Sequence, residues 1–141
     1  MSPDDASPLL LCLDLEAGSE QLIDYAARHS QRCNLPVRVL HASRAALDEK
    51  QQQQLQARIH ESIDHPLEGL RLQAIDIESG VAEDVIVEVA RRHDAGLILL
   101  GRRHRTTADR IYVGSTTSAV ISLATKPVLV VPVGTIGRGR E

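Results

Sequence analysis

Five apolar stretches, at residues 9–13, 37–42, 70–77, 97–100 and 127–133, alternate with four segments whose apolar residues recur at helical spacing. This alternation constrains the fold most, because short apolar runs and amphipathic helices bury their faces by packing on each other. The first, fourth and fifth runs are unbroken, as expected of strands covered on both faces, while the third interleaves polar residues. Such repeats predict βαβ units, a mainly parallel sheet and right-handed crossovers. The predicted class is α/β: an open five-stranded parallel sheet with helices on both faces.

The helices are predicted over 20–33, 46–63, 82–93 and about 116–123. Ser19 reads as the N-cap of the first, Leu22, Ile23, Ala26 and Ala27 share one face, and Asn34 and Pro36 end it. Leu47, Leu55, Ile59 and Ile63 mark the second helix, and the run Gln51, Gln52, Gln53, Gln54 reads as its solvated face. Gly80 breaks the third strand. In the third helix Glu83 and Asp84 open the first turn and Arg91, Arg92 and His93 close the last, as the macrodipole favours.

A chain of 141 residues is the size of one hydrophobic core. Its formal charge of −3 gives no global attraction to nucleic acid or to an anionic membrane. With no Trp, no Phe and two Tyr, the core is aliphatic and no aromatic platform exists for stacking single-stranded bases. Cys12 and Cys33 form no Cys-x-x-Cys pair and read as two buried thiols in a reducing setting. The N-terminus lacks a basic region followed by an apolar stretch, and no run approaches a membrane span, so the expected location is cytoplasmic, without membrane insertion.

Open parallel sheets bind ligands beyond the carboxyl ends of their strands, where the strand order reverses. Asp14-Leu15-Glu16 follows the first strand, His41-Ala42 the second, and Gly101 opens a long loop after the fourth. That loop closes on Gly114-Ser115-Thr116 at a helix start, where backbone amides and two hydroxyls make an anion site. Arg102, Arg103, Arg105 and Arg110 against Asp109 make the segment locally about three charges positive. Taken singly, Gly101 also reads as an ordinary turn, Gly114-Ser115-Thr116 as an ordinary helix start, and Asp14 as a turn carboxylate. The spacing between them is what joins them.

Gly101-x-x-His104, nine residues, then Gly114-Ser115, with Lys126-Pro127-Val128-Leu129-Val130-Val131 downstream, resembles the nucleotide motif of the universal stress protein family. Asp14 with Ser19 resembles the family's opening Val-Asp-x-Ser region, Val39-Leu40-His41 its second strand, and Glu78-Ser79-Gly80 the turn after its third. The likeness covers about residues 9–133, leaving 1–8 and 134–141 as flexible ends. It implies a Rossmann-like sheet of the adenine nucleotide alpha hydrolase type, and a stress-response regulatory module that binds ATP or another adenine nucleotide, with or without Mg2+. By the same likeness Asp14 would bond the ribose hydroxyls, and Leu13, Ala42 and Leu100 would line the adenine pocket. Gly101 would let ribose and phosphates approach the chain, and Gly114, Ser115 and Thr116 would hold the phosphates. A homodimer through the strand from Val128 to Val133 is implied, with a further regulatory protein partner of unknown identity.

His104 departs from that pattern, because the family has a second glycine there. An imidazole at this place either excludes a phosphate or donates to it. The alternative function is therefore a nucleotide-free dimeric stress adaptor. Other classes fit less well. A phospho-receiver would carry Lys-Pro after its fifth strand, whereas Lys126-Pro127 precedes it, and Gly-x-Gly-x-x-Gly is absent. The six histidines show no metal-ligand spacing, and His60 and His65 read as surface residues. No nucleophile is paired with a general base, so the chain reads as a binder and not an enzyme.

Overall fold

The computed structural model describes residues 7–104 and 114–135; for residues 103–104 and 134–135 the description stops at the backbone. The order of elements is β1 (Leu9–Cys12), α1 (Ser19–Cys33), β2 (Val37–Ser43), α2 (Glu49–Asp64), β3 (Leu72–Ser79), α3 (Ala82–Arg92), β4 (Leu97–His104), α4 (Ser115–Leu123) and β5 (Val128–Thr135). All four ladders are parallel, and the strands lie in the order β3-β2-β1-β4-β5. The two ends predicted to be flexible fall largely outside the described residues.

The pleat of β1 sorts the core into two layers. Leu9, Leu11 and Leu13 pack with Leu22, Ile23 and Ala26 of α1 and Ile59 and Ile63 of α2. Leu10 and Cys12 point the other way, toward Ile86, Val89 and Ala90 of α3 and Val120 of α4. Strand β1 is buried on both faces, which is why its sequence is an unbroken apolar run. Each fully buried leucine contributes about 1.5–3 kcal/mol relative to exposure.

Several boundaries differ from the sequence expectation for identifiable reasons. Gly18, in the left-handed region at φ 96°, is the N-cap of α1, so Ser19 is the first helical residue and not the cap. Helix α2 starts three residues later than predicted, because Asp48 and Gln51 form a capping box there. The glutamine run is exposed, as predicted, yet within it Gln52 Nε2 donates to the Ile77 carbonyl at 3.2 Å, and beyond it Gln56 Nε2 donates to that of Ile75 at 3.5 Å. Strand β3 begins at Leu72 instead of Leu70, and β5 runs two residues past 133. Cys33 is exposed, not buried, because it lies at the solvent side of the last turn of α1; Cys12 is buried.

The two edges of the sheet are unlike. Side chains of α2 reach the backbone of edge strand β3, whereas β5 shows half-buried Val128, Leu129 and Val130, with Pro132 exposed. On α4, Ile121 and Leu123 are about half exposed. Among the described residues no helix is long and apolar enough to cross a membrane.

Candidate functional site

The strand order reverses between β1 and β4, because the chain first winds outward through β2 and β3 and then returns to the other side of β1. The loops leaving β1 and β4 therefore separate to opposite faces and leave a crevice beyond the strand ends. A cavity of about 620 Å³ opens there, within the range of small-molecule sites. Its floor includes Cys12, Leu13, Leu40 and Leu100; Ala42, Ala82 and Ile86 add an apolar side. Burial pushes the Cys12 thiol well above its ordinary range, so it serves as a small apolar floor residue and not as a nucleophile.

One wall is acidic. It is the β1–α1 turn, which contributes Asp14, Glu16, Gly18 and Ser19. The Glu16 amide donates to Asp14 Oδ1 at 2.9 Å, a local turn that aims the carboxylate. Leu15 between them has φ 63°, and its side chain packs on the α1/α2 core layer. Ser19 Oγ is buried and has no partner among the described residues.

The facing wall is made of amides and hydroxyls. Gly114, Ser115, Thr116 and Thr117 line the cavity at the start of α4. Gly114 is the N-cap, and among the described residues no side chain caps this helix; its first turn holds no acidic residue. The first amides of a helix carry partial positive charge and need acceptors. Arg102 of β4 also lines the cavity, so among the described residues the acidic turn shares it with one arginine and a helix start.

The two glycines of this wall have different physical roles. Strand β4 continues past its predicted end at Leu100 to His104, because its ladder to β5 runs from Ile98↔Val128 to His104↔Thr135. Gly101 is thus a strand residue and not the start of a loop. A Cβ there would come within 3.2 Å of Val133 Cγ2 and 3.5 Å of Leu22 Cδ2, so a side chain at this position would press on Val133 of the protein itself. Gly114 has φ −61° and ψ 158°, which any residue adopts, and among the described residues a Cβ there would meet no atom within 4 Å. Neither its backbone nor its neighbours among the described residues require glycine.

Leu13, Asp14, Ala42, Leu100, Gly101, Gly114, Ser115 and Thr116, read from the sequence as candidates, all line this one cavity. The ninth, His104, ends β4 in register with Thr135, and its side chain lies outside the described residues, as do Arg105, Asp109 and Arg110. Glu16 and Arg102, read from the sequence only as part of the flanking segments, also line the cavity, and sequence reasoning missed Ala82 and Ile86. Ala82 and Ile86 could have been found as the first turn after the Gly80 break. Among the described residues there is no group of three or more His, Cys, Asp or Glu side chains that could hold a metal.

An open parallel sheet with a crevice at its reversal point is a Rossmann-like α/β fold. Residues 7–132 match the universal stress protein family, and the chain belongs to that family. Similar solved structures include a universal stress protein from Archaeoglobus fulgidus, 24% identical with a TM-score of 0.70 over 88% of this chain and 97% of that one. Another is a universal stress protein in complex with cAMP, 21% identical, TM-score 0.71, over 91% and 98%. A third is the Archaeoglobus fulgidus protein in complex with dAMP, 21% identical, TM-score 0.66, over 88% and 96%. A search of curated proteins matched none of them.

Proposed function

We propose that this universal stress protein binds an adenine nucleotide and acts as a cytoplasmic regulatory module in the stress response. The observation that carries the reading is the polarised cavity: an uncapped, acid-free helix start on one side and the Asp14 carboxylate on the other, across about 620 Å³. Phosphate oxygens are the natural acceptors for the amides of Ser115 and Thr116, and the hydroxyls of both residues add donors. Among the described residues nothing fills the space that a side chain at Gly114 would take. Asp14 accepts from the ribose hydroxyls, since a carboxylate takes several donors at once. Leu13, Ala42 and Leu100 hold the adenine by aliphatic contact, and Gly101 keeps that end of the pocket free of a side chain. The cAMP and dAMP bound by two structural neighbours support an adenine nucleotide.

ATP is the finer proposal, with Mg2+ accompanying its phosphates. The module binds and signals instead of catalysing, in partnership with a regulatory protein. Two copies pair through the strand from Val128 to Val133, an apolar edge that would otherwise be an aggregation hazard; Pro132 limits the pairing because it has no amide donor. A monomer by light scattering at micromolar concentration contradicts the dimer.

His104 in place of glycine favours a second reading, a nucleotide-free dimeric adaptor of the same fold. Acid extraction of the purified protein followed by nucleotide chromatography separates the two. Released adenine nucleotide, or a rise in melting temperature on adding it, supports the first. A clean extract with no thermal shift leaves the second.

A further inference from the structure

The carboxylate that faces the crevice is held by a turn whose carbonyls on either side are gripped by side chains from outside the site. His41 Nδ1 of β2 lies 2.8 Å from the Leu13 carbonyl oxygen, and Arg58 Nη2 of α2 donates to the Leu15 carbonyl oxygen at 3.1 Å. A carbonyl only accepts, so the His41 tautomer is the one with its proton on Nδ1. We propose that His41 and Arg58 are positioning residues for Asp14, fixing the carboxylate that reads the ribose hydroxyls; this rests on the nucleotide reading above.

The geometry works through two rigid peptide planes. The first, from Leu13 to Asp14, is anchored by His41 at its oxygen, so the backbone enters Asp14 at a fixed angle. The second, from Leu15 to Glu16, has its oxygen on Arg58 and its N–H on Asp14 Oδ1. In a trans peptide these two groups point in opposite directions, so holding the oxygen aims the N–H at the carboxylate. The guanidinium also polarises that peptide and strengthens the bond at its far end. Leu15 holds φ 63°, a region that branched L-residues rarely adopt, and a turn of this kind persists only where its surroundings over-determine it. Arg58 and the buried side of Leu15 supply that constraint from the α2 face, 43 residues away in sequence. Neither His41 nor Arg58 lines the cavity, so each acts through the turn and not on the ligand.

The test compares AMP with 2′,3′-dideoxy-AMP, which lacks both ribose hydroxyls, by calorimetry on the wild type and on Arg58→Met, Arg58→Lys, His41→Leu and His41→Asn. The wild type is expected to favour AMP by about tenfold or more, the worth of a hydrogen bond to a charged group. In Arg58→Met and His41→Leu that preference falls to about twofold, while dideoxy-AMP affinity stays within about twofold of wild type. Arg58→Lys and His41→Asn, which retain a donor, restore most of the preference. Hydrogen exchange of the Glu16 amide in the nucleotide-free protein is expected to speed up by about fivefold in Arg58→Met and to stay near wild type in Arg58→Lys. Equal losses for both nucleotides, or an unchanged Glu16 amide in Arg58→Met, overturn the positioning role. A wild type that binds neither nucleotide overturns the reading of the site instead, and the Glu16 amide then still decides whether the clamp holds Asp14.

Discussion

At the start of α2, Asp48 Oδ1 accepts from the Gln51 amide at 2.7 Å, while the Asp48 amide donates to Gln51 Oε1 at 3.0 Å, so the helix seals its own first turn. At the start of α4 the N-cap is Gly114, with no side-chain cap among the described residues and no acid in the first turn. Helices α1 and α3 also begin without a side-chain cap at Gly18 and Val81, and both send their first residues to the cavity, but each has an acid in its first turn. The capped helix is the one whose start does not line the cavity. The contrast teaches that the missing caps are not poor helix design. On the proposed reading these amides are left for a ligand where the sheet reverses, and among the four described helices only α4 has no acid in its first turn.

The most severe way to break this contrast is to give α4 the cap that α2 has. Gly114→Asp is expected to lower adenine-nucleotide affinity about a hundredfold, by filling the phosphate position with a like charge. The same change is expected to raise the melting temperature by about 1–2 °C, because Asp is a slightly better N-cap than Gly and favours the dipole. Opposite signs in calorimetry and thermal melting are the signature; unchanged affinity defeats the reading.

Next in size is the comparison of the two glycines. Gly101→Val is expected to destabilise the protein by about 1–3 kcal/mol, measured by urea unfolding, because it overpacks Val133 and Leu22. Gly114→Ala is expected to cost no more than about 1 kcal/mol, the N-cap preference for Gly over Ala, since among the described residues its Cβ meets no atom within 4 Å. Equal losses would show that both glycines serve the protein alone.

Asp48→Ala is expected to cost about 1 kcal/mol of stability by unsealing α2, and to leave nucleotide affinity within twofold. An affinity loss of tenfold would mean that the start of α2 also serves the ligand.

The smallest effect lies at the opposite end of the sheet. Hydrogen bonds from Lys126 first, then Ser7, hold the Asp94 carboxyl below its ordinary value. A depressed carboxylate pKa adds stability that is present above the unfolded value and lost as pH falls through the folded one. Asp94→Asn therefore melts slightly below wild type near neutrality, and the gap closes below about pH 4. A gap that persists in acid would place the effect in packing and not in charge.

The sequence made the βαβ alternation legible because buried strands and amphipathic helices have different periods, and every predicted element is present. Asp14, Gly114 and Ser115 were legible as candidates that line the cavity because strand ends and a helix start can be read from local pattern. The extension of β4 to His104 was not, because Arg102 and Arg103 look like loop residues until the ladder to β5 pairs them with Pro132 and Val133. Gly101 looked like a turn glycine for the same reason; its neighbours Val133 and Leu22 are far away in sequence. The clamp from Arg58 was invisible too, since an exposed arginine on a glutamine-rich helix gives no local sign of a carbonyl 43 residues back. Local signals specified the elements, and contacts between elements decided the rest.

The most direct measurement is an amide-resolved titration of the 15N-labelled protein with AMP and with ATP plus Mg2+. The account predicts saturable shifts largest at the Ser115, Thr116 and Thr117 amides, with the Gln51 amide of α2 unmoved. Saturable binding that leaves the α4 amides in place, or no shift at millimolar nucleotide, would contradict it.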